Sequence, residues 1–133
     1  MIIDAHTHLG FNDIINAKAN ELIDSMKKAN IDKAIVLAGE LNAIPTERLL
    51  QEISPYKDKL FPLGSISPLS PTKPSLEKVE EWLSKKLIYG MKFYPGYEYF
   101  YPADAVLRPY LELLAKYGKP ALFHSGDTYS KAG

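Results

Sequence analysis

Met1-Ile2-Ile3-Asp4-Ala5-His6-Thr7-His8-Leu9-Gly10 is the stretch whose reading decides the fold. Ile2 and Ile3 open an apolar β-run and Gly10 stops it. Successive side chains on a strand point to opposite faces, so His6 and His8 project side by side. Two imidazoles presented this way can share one metal ion, because neutral imidazole is a common ligand for Zn²⁺, Fe and Ni. The competing reading is a pair of ordinary polar residues at a strand end. The pair uses two of the three histidines in the chain, and Asp4 precedes it.

Downstream, strand and helix signals alternate. Ala19, Leu22, Met26 and Ala29 continue a three- and four-residue rhythm begun at Ile15, predicting a helix capped by Asn12 or Asp13. Ala34-Ile35-Val36-Leu37-Ala38 is apolar throughout, as in a strand covered on both faces. A second helix is expected from Pro45 and Thr46, burying Leu49, Leu50 and Ile53 and ending before Pro55. Leu60 to Ile66 reads as a third strand, although Pro62 weakens it. Pro68, Pro71 and Pro74 mark a loop, and Pro74 suits the first turn of a helix with Leu76, Val79, Trp82 and Leu83 on its apolar face.

Ile88 to Tyr94 reads as a fourth strand. It runs into a loop carrying Tyr94, Tyr97, Tyr99, Phe100 and Tyr101, broken by Pro95, Gly96 and Pro102. A fourth helix carries Leu107, Tyr110, Leu111, Leu114 and Tyr117, with Pro109 in its first turn and Gly118 at its stop. Pro120 to His124 is a fifth strand. One βα unit per roughly 30 residues is the size of a right-handed parallel crossover. The pattern is α/β with parallel (β/α) units. Periodicity alone leaves a barrel and an open doubly wound sheet both standing. An open sheet usually brings a Gly-rich phosphate turn after its first strand, and Leu9-Gly10-Phe11-Asn12 is no such motif.

Composition limits the partners. The chain has 133 residues, enough for one domain with a sizeable core. Lysine and arginine balance aspartate and glutamate, 16 against 16, so neither nucleic acid nor an anionic membrane is an expected partner. With no cysteine, disulfides, thiolate metal sites and cysteine nucleophiles are excluded. No apolar run is long enough for a bilayer span, and with a strand expected from Met1 and no basic n-region before it a signal peptide is not expected. A cytoplasmic protein is expected.

The opening Ile-Ile-Asp-Ala-His-Thr-His resembles the first strand of the amidohydrolase superfamily, and most closely its amidohydrolase 2 branch of metal-dependent hydrolases and decarboxylases. That resemblance implies a TIM barrel, of which residues 1–133 would supply about the first five of eight strands as the N-terminal part of a single domain. It implies a divalent metal, zinc by preference, held by His6, His8 and His124 at strand ends. For His124 the alternative is a plain strand-end cap before Ser125-Gly126. Gly90-Met91-Lys92-Phe93-Tyr94-Pro95 resembles the branch's fourth-strand Gly-x-Lys-x-His-Pro. Tyr94 there replaces a histidine, and Lys92 would touch substrate or lie beside the metal. A buried salt-bridging lysine is the alternative.

Tyr94, Tyr97, Ser125 and Asp127 stand where strand-to-helix loops build a substrate pocket, or else simply pack the rim. Asp4 would brace the first strand as an outer partner of the histidines. The implied activity is metal-activated water attacking an amide, ester or lactone carbonyl of a small molecule, with decarboxylation as the same branch's alternative. The branch's sixth-strand histidine and eighth-strand aspartate have no counterpart in these residues. The isolated chain is therefore expected to be inactive and to self-associate through uncovered strands. A non-catalytic (β/α)₅ binding or assembly module is the competing class.

Overall fold

The computed structural model describes residues 1–10, 17–39 and 43–126. The expected helix cap at Asn12 or Asp13, the apolar position Ile15 and the pocket residue Asp127 lie outside them. The chain forms two compact units, Met1–Ser65 and Ile66–Gly133.

The first unit holds β1 (Ile3–Thr7), α1 (Ala19–Lys28), β2 (Lys33–Leu37), α2 (Thr46–Glu52) and β3 (Leu60–Ser65). Both β1 with β2 and β2 with β3 pair in parallel, as the crossover spacing requires. Ala19, Ile23 and Met26 are the buried residues of α1, one stripe at four- and three-residue steps. Leu22 packs against this core from its edge, while Ala29, expected on the face, is exposed at the helix end. Glu21 in the first turn and Lys27 and Lys28 in the last complement the helix dipole. The second helix ends at Glu52, and Pro55 sits in a short 3₁₀ turn, Ser54–Tyr56.

Pro62 is tolerated inside β3 for a register reason. The amides of Ala34 on β2 and of Ala38 just past it donate to the carbonyls of Lys59 and Leu63. In a parallel ladder the residues bonded to one neighbour alternate, so the odd-numbered residues of β3 face β2. Position 62 faces away from it, and the donor that proline lacks is not one β2 needs.

The second unit holds α3 (Leu76–Ser84), β4 (Met91–Phe93), α4 (Arg108–Lys116) and β5 (Ala121–Phe123), with β4 and β5 parallel. Ser75, rather than Pro74, opens α3, its hydroxyl accepting the Lys78 amide at 3.2 Å. Val79, Trp82 and Leu83 are buried along α3, and full burial of a side chain like Trp82 stabilises by about 3 kcal/mol. Pro109 lies in the first turn of α4, as its missing N–H permits. The buried residues of α4 are Tyr110, Leu113 and Leu114, so Leu113 takes the place expected for Leu111. Lys116 and Tyr117 both donate to the Glu80 carboxylate, at 2.6 and 3.0 Å, tying α4 to α3. Their hydrogen bonds hold that carboxyl below its ordinary range.

Three helices stop in the same way. The amides of Ile31, Leu87 and Lys119 reach back to the carbonyls of Met26, Trp82 and Leu114, while those of Asn30, Lys86 and Gly118 reach Lys27, Leu83 and Ala115. These are Schellman caps, which require a left-handed residue just past the helix. Asn30, Lys86 and Gly118 supply it, with φ of 56°, 54° and 60°. Among the described residues no helix is long and apolar enough to cross a membrane.

Candidate metal and substrate site

In the first unit, β1 delivers the histidine pair. Its register to β2 slips between Asp4 and Thr7, an irregularity of the bulge type that re-aims side chains at a strand end. Two contacts flank it: the Asp4 carboxylate accepts the His6 amide at 3.0 Å, and the Thr7 hydroxyl donates to the Ile35 carbonyl at 2.8 Å. His8 lies just beyond the strand, with Nδ1 3.1 Å from the Leu37 carbonyl. A carbonyl can only accept, so that contact places the ring proton on Nδ1 and leaves the Nε2 lone pair outward. The Nε2 atoms of His6 and His8 are 3.2 Å apart.

This spacing fits a shared cation. Two nitrogens bound to one tetrahedral zinc, with bonds of about 2.0–2.1 Å, stand about 3.3–3.4 Å apart. The outer hydrogen bond from Nδ1 to a carbonyl is the support that metal-bound imidazoles ordinarily have. Here the Leu37 carbonyl supplies it, and Asp4 acts on the backbone of His6. Among the described residues, no group of three or more His, Cys, Asp or Glu side chains is gathered as a metal site.

The second unit carries the other expected residues. The β4–β5 register pairs Lys92 with Leu122 and Phe93 with Phe123. Alternation therefore puts Lys92, Tyr94, Leu122 and His124 on one face, and Met91, Phe93, Ala121 and Phe123 on the other. Ring contacts agree: Phe93 stacks on Phe123 at 5.4 Å, and Tyr94 on His124 at 6.5 Å between centroids. Tyr97 meets His124 edge-on at 4.8 Å. The His124 amide donates to the Phe93 carbonyl at 2.9 Å, which carries the ladder one residue beyond β5. Burial pushes the Tyr94 hydroxyl upward, so it is a neutral donor at any physiological pH.

A cleft of about 570 Å³ opens beside this face, lined among others by Pro95, Glu98, Phe100, Tyr101, His124 and Ser125. Of the expected pocket residues, Ser125 lines it, and Tyr97 is joined to it through His124. Glu98 is a residue sequence reasoning missed. Its carboxylate accepts the Ser67 hydroxyl and brings an acid to the wall of the cleft. The available signal was a lone acid inside an aromatic loop. Lys92 is 2 % exposed, and its ammonium lies 5.3 Å from the centroid of the Tyr94 ring. Burial lowers its pKa.

No protein-family model matches the chain. No curated protein matches it either. Solved structures do. A probable 2-pyrone-4,6-dicarboxylic acid hydrolase from Acinetobacter baumannii, with citric acid bound, aligns over 93% of this chain and 49% of its own at 15% identity, TM-score 0.70. An amidohydrolase II structure aligns over 96% and 51% at 16% identity, TM-score 0.70. A 5-carboxyvanillate decarboxylase from Novosphingobium aromaticivorans, with bound manganese, aligns over 81% and 35% at 17% identity, TM-score 0.66. These likenesses show the fold: parallel (β/α) units of the TIM-barrel type. The chain spans about half the length, or less, of the structures it matches.

Proposed function

We propose that the chain is the N-terminal part of a metal-dependent hydrolase of the amidohydrolase type. The observation that carries this reading is the His6–His8 pair, with Nε2 atoms 3.2 Å apart and the far nitrogen of His8 held on the Leu37 carbonyl. A divalent cation bound there would lower the pKa of its water and polarise a substrate carbonyl. Zinc suits two imidazoles, and manganese, present in the decarboxylase, is the alternative. The ligand role given to His124 rests on its place at the end of β5 and on the sequence resemblance. Tyr97 and Tyr94 orient its ring, while Phe100, Tyr101 and Ser125 wall a cleft large enough for a small molecule.

The fold likeness to a decarboxylase keeps a second reading, loss of a carboxyl group instead of hydrolysis. Metal analysis tests the shared core of both. The parent protein is expected to retain a divalent cation through gel filtration and His6→Ala to lose it. Full occupancy in His6→Ala removes the assignment.

A further inference from the structure

The unit Met1–Ser65 carries nine acidic and seven basic side chains, and its fold sorts them. Because β1, β2 and β3 are parallel, each turn that leaves a helix returns to one edge, where the strands begin. Residues 27–33 and 57–59 lie there and hold Lys27, Lys28, Lys33, Lys57 and Lys59, five of the seven basic residues. Of the nine acids, only Asp32 and Asp58 accompany them. A balanced composition predicts no anionic partner, but the field at a surface follows the local arrangement of charge.

Backbone bonds hold this edge as one row. The amides of Asp32 and Lys33 donate to the Ile2 carbonyl at 2.9 and 3.2 Å, and the Ala34 amide donates to the Lys59 carbonyl at 2.9 Å. With neighbouring strands about 4.8 Å apart, Ile2, Lys33 and Lys59 fall within about 10 Å along the row. The helix dipole accounts for Lys27 and Lys28 at the end of α1. It does not account for Lys57 and Lys59, which follow the short 3₁₀ turn. Lys27 pairs with Asp24 at 3.4 Å, and the Lys33 ammonium lies 5.3 Å from the Phe61 ring centroid. Among the described residues, Lys28, Lys57 and Lys59 enter no ion pair, and all three are exposed. The Asp32 carboxylate is engaged by the chain itself, accepting the Ile2 amide at 2.6 Å.

The same edge carries apolar side chains. Met1 and Ile2 are 87% and 56% exposed. An anionic lipid surface suits both features, since its headgroups attract ammonium groups and its interface takes up apolar side chains. A nucleic acid would engage the lysines and leave Met1 and Ile2 in water. The histidine pair stands at the other end of β1, so lipid bound where the strand starts does not cover it.

We propose that the strand-start edge of Met1–Ser65 docks on anionic lipid membranes, with Lys28, Lys57 and Lys59 on the headgroups and Met1 and Ile2 at the interface. This goes beyond the proposed function and does not depend on the metal.

The test is vesicle sedimentation of the chain in excess chelator. Vesicles of phosphatidylcholine with phosphatidylserine are expected to bind it about tenfold more tightly than phosphatidylcholine alone, and high salt should abolish the difference. The double variant Lys57→Glu, Lys59→Glu should lose that preference, and Lys57→Arg, Lys59→Arg should keep it. Ile2→Ser should weaken vesicle binding by about threefold. Equal binding to both vesicle types, or an undiminished preference in the doubly reversed chain, overturns the proposal. Duplex DNA bound as tightly as the charged vesicles, or Ile2→Ser binding them like its parent, shows a general polyanion site and overturns it too. The two vesicle types are compared on one protein, so a poorly folded variant leaves the outcome decidable.

Discussion

The Nε2 atoms of His6 and His8 face each other at 3.2 Å, while Nδ1 of His8 is engaged by the Leu37 carbonyl 3.1 Å away. With the His8 proton on Nδ1, the metal-free pair is joined by His6 Nε2–H donating to His8 Nε2, and a cation bound there would take that proton's place. His8→Ala should therefore lower affinity for Zn²⁺ or Mn²⁺ by more than about 100-fold, beyond the 10–100-fold typical of outer partners. Asp4→Asn, which alters only the acceptor for the His6 amide, should stay within about tenfold. Isothermal titration with each cation reads both. A His8→Ala protein that binds as tightly as its parent would remove His8 from the site.

Lys92 makes stability depend on pH with a defined sign. Burial lowers its pKa in the folded chain, whereas the unfolded chain keeps about 10.4. Between those values the unfolded state binds more protons, so the parent gains stability as pH rises. Lys92→Met has no buried charge to carry. It should be more stable than the parent by about 1 kcal/mol at pH 7, with the difference shrinking towards pH 10. Urea titrations of both proteins at several pH values show the trend. A variant less stable at pH 7 would mean that the ammonium is well satisfied.

The left-handed caps can be exchanged for one another. Gly118 has φ +60°, and a Cβ there would meet nothing within 4 Å, so Gly118→Ala isolates the backbone cost. It should destabilise by about 1 kcal/mol. Lys86 already bears that cost at φ 54°, and Lys86→Gly should recover about 0.5–1 kcal/mol. Opposite shifts in melting temperature are expected.

Thr46, buried at the start of α2, closes a two-way bond with β3. Its hydroxyl donates to the Ser65 carbonyl at 3.0 Å and accepts the Ser65 amide at 2.9 Å. Thr46→Val fills the same space but leaves both backbone groups without that partner, at a cost of about 1–3 kcal/mol. Thr46→Ser, which keeps the hydroxyl, should lose clearly less in the same denaturation series.

β1 is the edge strand of its unit, and Ile2 and Ile3 are 56% and 48% exposed. An apolar edge with unpaired backbone groups recruits another chain. Self-association of the 133-residue chain is expected in sedimentation velocity, weakened by Ile3→Lys. A concentration-independent monomer would show that this edge is harmless.

Much of the fold was legible in the amino-acid order. The three-and-four-residue spacing of Ala19, Met26, Val79 and Leu83 specified helices, and the short apolar runs between them specified strands, because burial periodicity is a local property. The His-x-His spacing announced two rings on one side of a strand, and Pro109 and Gly118 marked where α4 begins and ends. What stayed hidden depended on partners distant in sequence. No local pattern shows the register slip in β1, because it exists only against β2. Nor does the sequence near His8 reveal that its ring partner is the carbonyl of Leu37, 29 residues on. Lys92 is the sharpest case. The sequence offered substrate contact or an internal ion pair with equal right, since either suits a lysine on a strand. Only the tertiary arrangement buries it against Tyr94 with no carboxylate among the described residues, because the charge around a side chain is set by what folds onto it.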